Sequence, residues 1–140
     1  MPPVALMLLA ALTVAESKKL TGTWEVESAT LFGKPFPAGD PPVKYEFQGQ
    51  IITVVPAKAV WIVTLDVSTE PKRMTMTEAE LMNGIPVQKA GGQVARTVYA
   101  LDGDKLTMIQ WRGPDPEFPK SLEPKAGEPV LVLVLKRVKN

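Results

Sequence analysis

The chain predicts an all-β domain: an antiparallel up-and-down barrel of about eight strands, with a two-sheet sandwich as the competing arrangement. Apolar residues recur at a period of two along most of its length, the spacing that lines one face of a strand. Turn residues break that pattern at short intervals, helped by 14 prolines and 10 glycines. Sequential antiparallel strands also leave sticky edges unless the sheet closes on itself, which favours the barrel.

The N-terminal segment is the exception to the two-residue period. Residues 4 to 15 read Val-Ala-Leu-Met-Leu-Leu-Ala-Ala-Leu-Thr-Val-Ala, uncharged throughout, and Glu16-Ser17-Lys18-Lys19 follow. Such a run is too short for a hydrocarbon core of about 30 Å, which needs about 20 helical residues. It matches the apolar region of a secretory leader, with Thr13-Val14-Ala15 where a peptidase would cut. The preceding Met1-Pro2-Pro3 has no Lys or Arg, unlike most leaders. Residues 1–15 are therefore read as a signal-peptide-like leader and 16–140 as one domain, secreted or periplasmic, without a membrane span in the mature form. The alternative is an N-terminal helix packed on the domain.

The strands follow in order. Trp24, Val26 and Ser28 alternate with Thr23, Glu25 and Glu27. Val43, Tyr45 and Phe47 alternate with Lys44, Glu46 and Gln48, and a turn at Gly49-Gln50 leads into Ile51 to Val55. Trp61, Val63 and Leu65 make the next inward set. Met74 and Met76 alternate with Thr75 and Thr77 after a turn from Ser68 to Pro71. Glu78 to Met82 reads as a short helical turn. Val94 to Leu101 and Lys105 to Trp111 flank Asp102-Gly103-Asp104, where glycine accepts a positive φ that other residues resist. Val130 to Leu135 is an unbroken apolar run, as expected for a strand buried on both sides or closing a barrel. Gly33 to Pro42 and Arg112 to Pro129 are loops, the second holding five prolines that cannot donate to a ladder.

Composition removes much chemistry. The chain has no cysteine and no histidine, which excludes disulfides, thiol nucleophiles, Cys/His zinc sites and histidine bases. Sixteen Lys and Arg against 15 Asp and Glu leave a net charge of +1, so no global field draws nucleic acid. The close carboxylate pairs are Asp66 with Glu70, Asp102 with Asp104, and Asp115 with Glu117, and each sits in a turn signature. Asp102-Gly103-Asp104 lacks the further oxygen ligands of a calcium loop. Gly91-Gly92-Gln93 reads as a flexible loop, and no serine lies in a Gly-x-Ser-x-Gly elbow. Neither an enzymatic activity nor a metal or other cofactor is expected.

Gly22-Thr23-Trp24 opens the first strand and Arg137 ends the last. Together they resemble the Gly-x-Trp signature of the lipocalin and calycin superfamily. The resemblance implies that Trp24 plugs the closed barrel end and that Arg137 packs across it. An indole face attracts a guanidinium by about 0.5–2 kcal/mol, and Arg137 shares parity with Leu131, Leu133 and Leu135.

A longer set of segments is similar to the small uncharacterised lipocalin-like domains abundant in planctomycete bacteria. These are Leu20-Thr21-Gly22-Thr23-Trp24, Gly33-Lys34-Pro35, Tyr45-Glu46-Phe47, Thr64-Leu65-Asp66, Pro71-Lys72, Tyr99-Ala100-Leu101-Asp102-Gly103-Asp104 and Leu133-Val134-Leu135-Lys136-Arg137. Pro116-Glu117-Phe118 is similar to part of a Pro-x-Glu-Phe stretch of that group, without its leading arginine. The resemblance implies an exported barrel and no activity.

An eight-stranded barrel is either filled by its own side chains or just wide enough for one small ligand. Trp24, Tyr45, Phe47, Trp61, Val63, Leu65, Met74, Met76 and Tyr99 are the expected lining, with Gly22, Trp24 and Arg137 as the structural barrel end. The first reading is a non-enzymatic carrier of a small apolar molecule. The second is an interaction module with a filled core, meeting a protein partner through the proline-rich loop 112–129.

Overall fold

A computed structural model describes residues 4–37 and 41–139, with helix side chains from Leu12 onward. Residues 1–3 of the expected leader and 38–40 of the first long loop lie outside the described residues. Among the described residues one helix precedes ten strands. Helix α1 spans Val4–Leu20. The strands are β1 (Gly22–Leu31), β2 (Lys34–Pro35), β3 (Lys44–Gln48), β4 (Ile51–Val55), β5 (Ala59–Asp66), β6 (Lys72–Met82), β7 (Ile85–Gln88), β8 (Val94–Asp102), β9 (Lys105–Trp111) and β10 (Val130–Arg137).

Eight of them run β10-β9-β8-β6-β5-β4-β3-β1, every neighbour antiparallel, and β10 pairs back onto β1. The sheet is therefore closed, and the sandwich alternative falls away. Strands β2 and β7 lie outside this ring, added to β1 and β6 as short hairpins. The closing register sets Trp24 opposite Arg137 and Val26 opposite Leu135. The Val130–Leu135 run lies in β10, the strand that closes the ring against β1.

Two details depart from the alternation. A bulge in β1 between Val26 and Ser28 adds a residue, so parity flips. Ala29 is buried where Ser28 was expected, and Ser28 faces solvent. The helical turn expected at Glu78 to Met82 is strand instead, the outer half of β6 paired with β7. Asn83 and Gly84, with φ of 53° and 78°, form the turn between them. Consecutive positive φ values at Asn-Gly make a tight hairpin turn, and ladder pairing overrides the helical propensity of Glu-Ala-Glu-Leu-Met.

The interior is a dry stack. Trp24, Ile52, Met74, Leu106, Met108 and Leu135 are fully buried, and Phe47, Val63, Met76 and Tyr99 pack among them. A second, smaller cluster lies on the outer face. Val98, Ile109 and Val130 are covered by Trp111, Phe118 and Leu122, so the proline-rich loop spends its large apolar residues on the barrel wall. Arg73 caps that cluster, its guanidinium carbon 4.6 Å from the Phe118 ring centre.

Among the described residues no helix is long and apolar enough to cross a membrane. Helix α1 runs unbroken across Ala15–Glu16, and from Leu12 onward Glu16 is the first of its side chains to be buried. Leu12 and Val14 are half-exposed, whereas Glu16 and Leu20 are buried. Lys18 and Lys19 occupy the last turn, where cations complement the helix dipole.

Candidate functional site

The two ends of the barrel are built differently. At the α1 end, the Trp24 indole N–H donates to the Leu20 carbonyl at 2.9 Å. Arg137 lies over the Trp24 ring, 4.3 Å from its centre, and donates to the carbonyls of Lys19 at 2.8 Å and Thr21 at 3.0 Å. The helix's free C-terminal carbonyls are thereby satisfied by the barrel. Gly22 makes this possible: its φ is +133°, and a Cβ there would sit 3.1 Å from an Arg137 nitrogen.

Glu16 adds a buried ion pair to Lys72 at 3.0 Å. Burial first, and then the Glu16 charge, push the Tyr99 hydroxyl well above its usual ionisation range. Gly22, Trp24 and Arg137 thus meet beneath the C-terminal end of α1.

The largest cavity, about 380 Å³, lies beside this end. Helix α1 supplies Thr13, Val14, Ser17 and Lys18 to its wall, and Val63 and Leu65 form part of the rest. Its shape depends on the segment read as a leader, so the barrel alone does not define it.

The opposite end is open and has two lobes. The polar lobe, about 110 Å³, is lined by Tyr45, Trp61, Met76, Gln110 and Arg112, with Gln93 at its edge. The apolar lobe, about 130 Å³, is lined by Val26, Ala29, Val43, Leu131 and Leu133, with Phe36 and Pro37 leaning over it. Tyr45 belongs to both walls. Gln110 of one lobe faces Leu131 of the other across the β9–β10 ladder, so the lobes adjoin.

The polar lobe has unspent hydrogen-bonding capacity. Gln110 is 3% exposed; its oxygen accepts from Arg112 at 3.3 Å and its nitrogen reaches only the Met76 sulfur, at 3.6 Å. A thioether is a weak acceptor. Burial pushes the Tyr45 hydroxyl upward, partly countered by the Arg112 charge, so Tyr45 stays a protonated donor at neutral pH.

All nine expected lining residues project into the barrel interior, but they do different things. Tyr45, Trp61 and Met76 reach the mouth. Val63 and Leu65 reach only the cavity beside α1. Trp24, Phe47, Met74 and Tyr99 are packed core with no opening beside them.

The residues sequence reasoning missed are Gln110 and Arg112. Gln110 interrupts an inward set with Leu106 and Met108, and a polar residue at an apolar parity position was the available signal. Arg112 had none, because it follows the strand rather than belonging to it. Among the described residues no group of three acidic, cysteine or histidine side chains is placed to hold a metal. Comparison of the chain with family models, curated proteins and solved structures gives no match.

Proposed function

We propose that this chain is an exported lipocalin-like domain that binds a small, largely apolar molecule in the open end of its barrel and performs no chemistry on it. The observation that carries the reading is the pair of adjoining openings sharing Tyr45, above an otherwise filled interior. At about 110 and 130 Å³ the lobes fall short of the about 300–1,000 Å³ usual for drug-sized ligands. The molecule is therefore compact. The lipocalin-like assignment draws support from the closed eight-stranded ring and from Arg137 stacked on Trp24. Export rests on the uncharged 4–15 run.

Titration with the neutral probe N-phenyl-1-naphthylamine tests the reading through probe fluorescence and quenching of Trp61. Saturable binding is expected in the wild type and its loss in Val43→Phe, which fills the apolar lobe. Leu131→Phe serves if the first variant melts early. Binding unaffected by either substitution in a folded protein contradicts the reading.

A further inference from the structure

We propose that the mouth site selects a short amphiphile ending in a carboxylate, with the head held by Arg112, Gln110 and Tyr45 and the tail laid in the apolar lobe. The inference rests on the binding reading above and names the ligand's chemical class.

The head group follows from the polar lobe. Arg112 and Gln110 already touch, at 3.3 Å, so a guanidinium fork and an amide converge on one small volume. Arginine presents donors in a planar fork that matches a carboxylate's two oxygens. The buried Gln110 amide has an N–H spent only on sulfur, and Tyr45 offers a hydroxyl donor from the shared wall. The Arg112 guanidinium, the Gln110 amide N–H and the Tyr45 hydroxyl are the donors of this set, and the Gln110 oxygen is already engaged by Arg112. Behind Gln110, across the β8–β9 ladder, the Thr97 hydroxyl is fully buried and has no hydrogen-bond partner. Buried polar groups without partners are uncommon unless a site uses them. Among the described residues no carboxylate side chain lines either lobe.

The tail follows from the neighbouring lobe. Its wall is aliphatic, from Val26, Ala29, Val43, Leu131 and Leu133, with Phe36 above. A free inorganic anion would leave that lobe empty, and a purely apolar guest would leave the donors unpaired. One molecule satisfying both has a charged end and a compact chain. Arg112 is exposed at the rim, so its attraction weakens with salt.

The experiment is isothermal titration of the full chain with octanoate, 1-octanol and inorganic phosphate, repeated with Arg112→Gln and Tyr45→Phe. Octanoate is expected to bind at least tenfold more tightly than octanol. Arg112→Gln is expected to cost octanoate about tenfold or more while leaving octanol unchanged, as loss of a charge-assisted contact would. Tyr45→Phe is expected to cost octanoate a smaller factor.

Equal binding of octanoate and octanol, or indifference of octanoate to Arg112→Gln, overturns the carboxylate assignment and leaves the apolar-carrier reading standing. Phosphate binding as tightly as octanoate overturns the amphiphile. Failure of both eight-carbon ligands in a folded wild type overturns both readings together.

Discussion

The Trp24 ring and the Arg137 guanidinium stack at 4.3 Å while each caps a carbonyl at the end of α1, so one residue pair joins the first strand, the last strand and the helix. Arg137→Met keeps the apolar stem and removes the charge and its donors. Because the Lys19 and Thr21 carbonyls are exposed and can turn to water, losing the Arg137 donors should cost about 0.5–1.5 kcal/mol. That corresponds to a drop of roughly 3 °C in Tm per kcal/mol for a domain of this size. A double-mutant cycle with Trp24→Phe should give a coupling of about 0.5–2 kcal/mol. Additive losses would show that the stack is incidental.

The bulge in β1 makes a sharp prediction about two adjacent positions. Ala29→Asp places a charge inside the barrel beside Leu133 and should unfold the domain or cost several kcal/mol, of order 3 or more. Ser28→Asp, one residue earlier, faces solvent and should change stability by about 0.5 kcal/mol or less. Urea melts of the two variants decide it, and the reverse order would contradict the observed register.

Deleting residues 114–126 should destabilise the fold itself. The loop carries Phe118 and Leu122, which cover Val98, Ile109 and Val130. Phe118→Ala alone should cost about 1–3 kcal/mol, below the range for fully buried phenylalanine because this ring is only partly buried. Chemical denaturation with unchanged midpoints would show that the loop is merely draped on the wall.

Acid should weaken the protein through three surface carboxylates. Ser68 hydrogen bonds hold the Asp66 carboxyl below its usual value, the Gln93 backbone N–H does so for Glu78, and Lys139 then Arg137 do so for Asp104. A carboxyl depressed in the folded state contributes stability above its unfolded value, about pH 4, and loses it as pH falls further. The Tm should therefore be flat from pH 5 to 7 and fall below about pH 4. In Asp104→Asn that fall should be shallower. An identical acid limb in the variant would remove Asp104 from the account.

The ring of strands was legible because the inward parity of Tyr45, Phe47, Trp61, Val63, Met74 and Met76 is a property of spacing alone. Closure was not legible from spacing, because Val130 to Leu135 suits two-sided burial as well as closure, and the β1–β10 pairing decides it only in the folded chain. The Ser28 assignment failed because a bulge inserts a residue without any marker in side-chain type. The 78–82 segment failed because helix-forming residues were weighed above the Asn83-Gly84 turn that pairs them as a hairpin.

The mouth was the least legible part. Which inward residues line an opening rather than a core depends on their height in the barrel, and period-two reading fixes the face but not the height. Gln110 and Arg112 acquire meaning only when β3, β5 and β6 bring Tyr45, Trp61 and Met76 alongside them.

The most direct measurement of the central claim is a ¹H–¹⁵N NMR titration of the chain with octanoate. Saturable shifts are predicted for the amides of Tyr45, Gln110, Arg112 and Leu131 and for the Trp61 indole, with the Trp24 indole and the Gly49 turn unmoved. Shifts confined to Gly49, Val63 and the helix, or none at saturating ligand, would contradict binding at the barrel mouth.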